Sequence, residues 1–380
     1  MTLALSRSAL TDIFEGGIAV SEGQASAAGA YANPEVAYLR EELSGASASV
    51  EETIAVSQHF DLGNRRGLRR EAGERRTSAL RREDEAARRT IAADARARFY
   101  EVVFRQARVA ALVSWVNQVD QARELVARRA QRGDAASYEL RRIERERVVA
   151  EAWLASERSG LERAGARLEA LLDGGGAGAT SRAVGSLLPD GAPMALEAIQ
   201  AATASRPDLL ALGLNLEAAT IEGQAAARWW LPDLKLEAGW KAAELGAEGR
   251  ADGFMLGASL EVPLWDQAAS DARIAEGAAR NAQGQRALIE SELRAELTGL
   301  HADAVRLHEV AIRFQEQSSA VSSDLVRMVT AGHAGGEFSL LELLDAYRGA
   351  TDDALRALEM ALAARNARIE LERLSGAGLP

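Results

Sequence analysis

The chain has 380 residues, of which 47% are hydrophobic and only 5% aromatic, and its formal net charge at pH 7 is −11. This composition, rich in Ala, Leu, Arg and Glu, is typical of long helices and poor in the bulky side chains that fill a globular core. The negative charge argues against a nucleic-acid partner, and the lack of cysteine excludes disulfides and thiolate metal sites.

The hydropathy of the chain and its first residues bear on membrane spans and on secretion signals. No run of about 18 apolar residues occurs, so the sequence predicts no membrane-spanning helix. The first residues, Met1 to Arg7, lack a basic segment followed by a long apolar core. They therefore do not match the pattern of a secretory signal.

An internal duplication organises the chain. Pro34 aligns with Pro232 at an offset of 198 residues, and a later offset of 203 residues aligns Gly133 with Gly336. The second offset also matches Glu139 with Glu342, Leu140 with Leu343, Arg145 with Arg348 and Leu168 with Leu371. Such a period is too long for a solenoid. It predicts two copies of one unit, made of a helix, a β-hairpin, a long helix and a return helix.

The first repeat is predicted to span residues 1–172. It begins with a helix from Ser8 to Tyr31, followed by a β-hairpin within 35–62. No proline interrupts the long helix 64–131, which at 1.5 Å per residue would be roughly 100 Å long. Gly133 is predicted to end it at a helical-tip turn, before a return helix over 136–172.

The second repeat is predicted to span residues 206–380, after a Gly-rich linker and equatorial segment over 173–205. It repeats the scheme of the first. Its elements are a helix, a β-hairpin over 233–264, a long helix over 267–331 and a return helix over 337–374. Gly336 occupies the place of Gly133 and predicts the second helical-tip turn.

The second hairpin has the strongest local pattern. Apolar residues occupy every second position of both of its strands, which gives each strand one apolar and one polar face. Strands of this length can cross a bilayer obliquely. The residues predicted to face lipid are Leu234, Leu236, Trp240, Phe254, Leu256 and Leu260. The alternative is a hairpin packed on a soluble core.

A membrane interpretation of these strands requires oligomerisation. Four strands are too few to close a barrel that holds a channel, and lipid tolerates no open sheet edge. Three copies of the chain would supply twelve strands and leave no edge.

Four segments resemble a known family: Gln58 to Arg69, Arg206 to Leu209, Leu231 to Leu234 with Val262 to Trp265, and Gly336 to Ala346. On these segments the chain resembles the TolC family of outer-membrane efflux proteins, most closely the CzcC-type heavy-metal branch. The resemblance implies a mainly α fold with a small β part. It further implies a homotrimer with a transmembrane β-barrel and a long α-helical barrel, acting as a passive duct with neither enzymatic activity nor a cofactor.

The resemblance also implies a location and partners. The place is the outer membrane of a Gram-negative bacterium with a periplasmic extension. The partners are outer-membrane lipid, a periplasmic adaptor and an inner-membrane pump of the RND type, and the exported substrates are metal ions or small toxic molecules. The chain departs from the family in lacking a signal sequence, the short helix that normally precedes the first long helix, and the lipid-anchored cysteine of some members.

In the family, acidic residues after the second helical turn narrow the periplasmic mouth. The resemblance places this periplasmic gate at Glu342 and Asp345, which are three residues apart and share a helix face. Three copies would bring them together as two acidic rings that attract cations. The first-repeat equivalents are Glu139 and Arg142. The alternative is an ordinary solvated helix face.

The remaining polar residues predict no further chemistry. Arginines from Arg65 to Arg98 interleave with acidic residues, which favours a solvated helix with local ion pairs over a nucleic-acid patch. His301 and His308 are two turns apart, whereas a helical metal site needs closer spacing, so no metal site is predicted. The rival interpretations are a soluble long-helix coiled-coil scaffold and a periplasmic adaptor protein.

Overall fold

The computed structural model describes residues 2–45, 49–131, 137–172, 182–244, 249–262, 264–265 and 267–376. The predicted class, mainly α with a small antiparallel sheet, is confirmed in these residues. Within them, no helix combines the length and the apolar character needed to cross a membrane.

The helices and strands alternate in the same order in both halves of the chain. The helices are α1 Thr2–Leu5, α2 Ser8–Gly29, α3 Arg65–Gln131, α4 Ser137–Leu171, α5 Leu196–Thr203, α6 Pro207–Ala227, α7 Ala269–Gly335 and α8 Leu340–Ser375. The strands are β1 Glu35–Leu43, β2 Ser49–Asp61, β3 Asp233–Glu244 and β4 Arg250–Leu260. The long helices α3 and α7 contain 67 residues each.

The chain divides into two compact units, to which α3 and α7 both contribute. The sheet unit comprises Asp12–Glu85 and Pro207–Glu290. The helical unit comprises Met1–Thr11, Ala86–Arg206 and Ser291–Pro380.

The sheet unit is built around one four-stranded antiparallel sheet in the order β1-β2-β3-β4. The central pair, β2 with β3, joins the hairpin of the first repeat to the hairpin of the second. Gly239 allows this close approach, because a Cβ at that position would lie 2.7 Å from the carbonyl oxygen of Ile54. Any larger residue there would push the two hairpins apart.

Ion pairs connect the arginine-rich start of α3 to other helices of the sheet unit. Some pairs are local, such as Arg70 with Glu74. Others reach α2, α6 and α7, namely Arg81 with Glu22, Arg75 with Glu217, Arg76 with Glu222, and Arg69 with Asp271. The arginines are therefore paired both along the helix and between helices.

The core of the helical unit lies among α3, α4, α7 and α8. Large apolar side chains at helical spacing supply it, including Leu112, Trp115, Ile143, Val329 and Leu343. The Trp115 ring packs edge-on against Trp153 with 5.6 Å between ring centroids. Such aromatic pairs stabilise a core beyond the area that they bury.

A segment without helix or strand, residues 182–195, is held by a buried arginine of α8. The Arg365 guanidinium donates to the carbonyl oxygens of Ser186, Leu187 and Leu188 at 2.6–2.9 Å. It also lies 4.5 Å from the centroid of the Tyr100 ring. The rigid fork of donors makes arginine suited to this role, because three carbonyls and an aromatic face are satisfied by one side chain.

Candidate functional site: an apolar sheet face and an acidic helix tip

One face of the sheet carries exposed apolar residues from all four strands, and charged residues such as Arg40 with Glu52 lie on it towards the hairpin turns. The even-numbered residues of each strand point to this side, so Tyr38, Ile54, Trp240 and Phe254 lie in one row. Phe254 is 93% exposed, and Leu256 in the next row is 86% exposed. Contiguous exposed apolar patches of this kind mark a protein or membrane interaction site.

All six residues predicted to face lipid lie on this face. Leu236, Phe254, Leu256 and Leu260 are exposed, while Leu234 and Trp240 are partly buried. The first hairpin extends the face with residues absent from the predicted set, namely Val36, Tyr38, Ile54, Val56 and Phe60. Their period-two spacing in the sequence is the signal that identifies them.

A glutamine interrupts the apolar face. Gln58 pairs in register with Leu236. Its Nε2 donates to the carbonyl oxygens of Ala32 at 2.8 Å and His59 at 3.1 Å. The amide hydrogens are therefore satisfied by the backbone, which reduces the cost of a polar group on this face.

The opposite face of the sheet carries ion pairs and small side chains, with Leu39, Leu43 and Met255 as its large apolar residues. Lys235 pairs with Glu35 at 3.6 Å, and Lys241 forms an ion pair with Glu51. Between them lie small residues on the same side, Ala37, Ala55, Gly239, Gly257 and Ser259. The sheet thus separates an apolar surface from a charged one.

A tight turn joins α7 to α8 at the predicted tip. Gly336 has a φ of +83°, the left-handed conformation that favours glycine. The N–H of Glu337 donates to the carbonyl of Gly332 at 2.8 Å. A Cβ at Gly332 would collide with the Phe338 ring, so that ring lies directly against the backbone. The corresponding residue of the first repeat, Gly133, lies outside the described residues.

Glu342 takes part in a capping box at the start of α8. Its Oε2 accepts hydrogen bonds of 2.7 Å from both the backbone N–H and the Oγ–H of Ser339, and its own N–H donates to Ser339 Oγ at 3.3 Å. The backbone hydrogen bond from Ser339, followed by the hydroxyl bond, lowers the pKa of Glu342 below its ordinary value. The carboxylate therefore stays ionised, and it stabilises the helix start.

The second predicted gate residue and the first-repeat equivalents have other surroundings. Asp345 is exposed on the next turn of α8. Glu139 is partly buried in the first turn of α4, where Arg142 Nη1 donates to the hydroxyl of Tyr138 at 3.2 Å. The structure thus places Glu342 and Asp345 on the same helix but leaves their predicted role in a gate untested.

An ion pair near the tip was missed by sequence reasoning. Arg348 Nη2 of α8 donates to both carboxylate oxygens of Glu146 in α4, at 2.6 and 2.9 Å. Glu146 is buried. The pair links residues 202 positions apart, and no local pattern in the sequence identifies such a partner.

The described residues contain no group of three or more His, Asp or Glu side chains arranged to hold a metal ion. The Nε2 of His301 lies 2.9 Å from the carbonyl oxygen of Met194, and His308 is buried. Neither histidine forms part of a ligand set in this region.

Comparisons with known proteins find a family match in the second half of the chain. Residues 198–377, which cover most of the second repeat, match the outer membrane efflux protein family. No curated protein shows a significant sequence match. The matched family consists of efflux channels and not of enzymes, in agreement with the prediction that the chain is not an enzyme.

Solved structures extend the likeness to nearly the whole chain. A membrane protein from Pseudomonas aeruginosa superimposes with a TM-score of 0.77 at 18% identity, covering 99% of this chain and 92% of that one. VceC from Vibrio cholerae superimposes with a TM-score of 0.77 at 16% identity, covering 99% of this chain and 95% of VceC. CusC superimposes with a TM-score of 0.77 at 17% identity, covering 99% of this chain and 91% of CusC. At these identities the matches establish a shared fold.

Proposed function

We propose that this chain is the channel subunit of a tripartite efflux system in the Gram-negative outer membrane and acts as a passive export duct. One observation carries the proposal. A four-stranded sheet presents an exposed apolar patch with residues from all four strands, in which Phe254 and Leu256 are almost fully exposed. A soluble coiled-coil scaffold would leave this face in water, which is unfavourable for so large an apolar patch.

The edges of the sheet support assembly into a homotrimer. Among the described residues, β1 and β4 each pair on one side only. In lipid, every unpaired backbone group costs several kcal/mol, so the edges must pair with other copies. Three chains would close a barrel of twelve strands. β3 has 12 residues, which at about 3.3 Å per residue and a tilt of about 45° reach roughly 28 Å across the bilayer.

The two faces of the sheet fit this arrangement. The apolar face would contact acyl chains, and the face with Lys235, Lys241 and their glutamate partners would line a water-filled passage. The small residues between these charges would leave that passage open. The family match and the structural likeness to outer-membrane channels support the same location.

The partners of the system follow from the family. Proteins of the outer membrane efflux family work with an adaptor and an RND pump in tripartite systems. We extend this to a periplasmic adaptor and an inner-membrane RND pump for this chain. The CzcC-type resemblance supports metal ions as exported substrates, with small toxic molecules as the alternative.

Mass measurement in mild detergent tests the assembly. We expect a species of three times the chain mass of 40.5 kDa in native mass spectrometry. Detergent must be required for solubility, because the apolar face is otherwise exposed to water. A stable monomer or dimer in mild detergent would rule out the closed barrel, and a detergent-free soluble dimer would favour the scaffold.

The acidic gate needs a more selective test, because Glu342 has two possible roles. An alanine at Glu342 removes both a charge and the capping box. Glutamine removes the charge but keeps a side chain that can complete the box. We expect divalent cations to reduce single-channel conductance in planar bilayers, and Glu342→Gln with Asp345→Asn to weaken that block.

Two matched variants control for helix capping and for histidine. Ser339→Ala breaks the capping box but keeps both carboxylates, so the cation block should persist. Replacing His301 and His308 with asparagine should also leave it intact. If the block survives in the double Glu342→Gln, Asp345→Asn variant, the constriction lies at other residues.

A further inference from the structure

A buried histidine sits beneath the turn that joins α7 to α8. His333 lies in the last turn of α7 and is only 2% exposed. Its Nδ1 is 2.9 Å from the carbonyl oxygen of Phe338. Because a carbonyl oxygen can only accept, Nδ1 must carry the hydrogen. The other nitrogen of the neutral ring, Nε2, therefore holds a lone pair.

This second nitrogen has no partner among the residues that the structure describes. Nε2 of His333 is buried and makes no hydrogen bond in the described part of the chain. While the ring is neutral, the unused lone pair is a modest cost. A proton added at Nε2 would create a charged donor with no acceptor, and an unpaired buried charge is strongly unfavourable.

The surrounding backbone depends on the same histidine. The carbonyl that accepts from His333 belongs to Phe338, the residue directly before the Ser339 cap of α8. The N–H of Glu337 bonds to Gly332, the residue before His333. Movement of the His333 ring would thus disturb the turn and the capping box together.

Charged groups on the neighbouring elements are engaged elsewhere or lie in solvent. Asp324 pairs with Arg327 on α7, Glu342 bonds to Ser339, and Arg142 bonds to Tyr138. Other charged residues towards this end of the helices include Arg123, Glu124, Arg128 and Arg129 of α3, Glu139, Arg141, Glu144, Arg145 and Glu146 of α4, Glu337 of the turn, and Asp345 and Arg348 of α8. Within the described ranges, no ion pair or hydrogen bond joins any of them to His333.

We propose that His333 makes the α7–α8 turn acid-sensitive, so that proton uptake at Nε2 loosens residues 332–339 and the start of α8. Histidine is the side chain whose charge ordinarily changes between about pH 5 and 8. The inference deepens the proposed function, since the loosened segment carries the predicted acidic gate. It concerns how that tip responds to pH.

Hydrogen exchange on the detergent-solubilised full chain tests the inference. Amide exchange in peptides covering 333–342 is compared at pH 7.5 and 5.5, after scaling for the intrinsic pH dependence of exchange. We expect the wild-type turn to lose protection by roughly tenfold at the lower pH, the factor that corresponds to a penalty within the range for an unpaired buried group.

Matched variants separate His333 from a general acid effect. In His333→Asn the side-chain amide can donate to Phe338 in place of Nδ1 but cannot be charged, so the pH effect should disappear. His308→Asn removes another buried histidine of α7 and should respond like the wild type. Wild-type protection that is unchanged between the two pH values, or a pH effect that survives His333→Asn, would overturn the inference.

A second measurement uses the unmodified protein, in case the variant fails to assemble. Exchange at the imidazole C2 position reports the protonation of His333 itself. We expect this titration and the loosening to occur over the same pH range, and loosening while His333 stays neutral would refute the proposal. Both readouts work without conduction, so a failure to form channels would count against the proposed function alone.

Discussion

The long helices of the two repeats have the same length but are held by different chemistry. α3 carries 17 arginines and α7 carries 7. Besides local pairs, α3 forms ion pairs with other helices and strands of the same chain, as in Arg76 with Glu222 and Arg96 with Glu372. Among the described residues, the ion pairs formed by the arginines of α7 stay within α7, as in Arg286 with Glu290.

The two long helices also differ in which of their side chains are buried. On α3, Arg105 Nη1 donates to the buried carboxylate of Glu157 at 2.8 Å, and Arg108 Nε forms an ion pair with the same carboxylate at 3.1 Å without a hydrogen bond. α7 instead leaves apolar Val321, Leu325 and Met328 exposed at spacings of four and three residues. The two copies of the long helix therefore differ: α3 is linked to the rest of its chain by ion pairs, whereas α7 leaves a row of apolar side chains exposed. Such a stripe suits contact with a second copy of the chain.

The largest expected effect comes from breaking the charge cluster of α3. Glu157→Ala leaves two partly buried guanidinium groups without their shared carboxylate. We expect a loss of about 3 kcal/mol in unfolding free energy, the low end of the range for removing one partner from a buried ion pair, because Arg105 keeps Glu101 and Arg108 keeps Glu359. Denaturant unfolding of the solubilised protein, followed by circular dichroism, measures it. A loss under about 1 kcal/mol would mean that the cluster behaves like a surface pair.

A second test concerns the apolar surface of the second repeat. Leu256→Arg on the predicted lipid face should cost roughly 2–4 kcal/mol of membrane insertion near the bilayer midplane. Gly257→Arg, one residue away on the polar face and opposite Glu237, should be tolerated. Folding into lipid vesicles measures both variants. Equal tolerance would contradict the assignment of faces.

The start of α8 gives a smaller effect with a defined pH dependence. Ser339→Ala removes the N-cap and should cost about 1 kcal/mol at neutral pH. The pKa of Glu342 is lowered in the folded chain, so its contribution is fully present above its unfolded pKa and is lost as pH falls through the lower folded value. The difference between wild type and Ser339→Ala should therefore shrink below about pH 4. Stability measured from pH 7 to 3 checks this, and a constant difference would contradict it.

The smallest effect should come from the exposed pair of α7. Glu290→Ala removes the partner of Arg286, where both side chains are about half exposed. Such pairs contribute at most about 0.5 kcal/mol, because water screens the charges. The same unfolding assay used for Glu157→Ala provides the comparison. A cost above about 1 kcal/mol would remove the proposed difference between the two long helices.

Element types follow from local sequence patterns, whereas long-range contacts do not. A proline-free stretch rich in helix formers indicates α3, and period-two alternation indicates β3 and β4. The pairing of β2 with β3 joins residues from different repeats, and no local signal specifies it. The same holds for Arg365 and for Glu146 with Arg348, whose partners are more than 170 residues away.

The candidate site shows a similar division. The alternation of Leu234, Leu236 and Trp240 was sufficient to place them on one face. The capping role of Glu342 was also available in the sequence, since Ser339 followed three residues later by Glu is the capping-box pattern. The orphaned nitrogen of His333 was not, because it depends on which atoms surround the ring.

The equal length of α3 and α7 restricts how this chain can change size. Inserting one residue into either helix would rotate everything beyond it by about 100° and turn its buried alanines toward solvent. Seven inserted residues complete two turns to within about 20°, so the phase is nearly restored. We expect natural length variants to differ in steps of seven residues, made in both helices at once. A chain lengthened in one helix only would lose its register with the other.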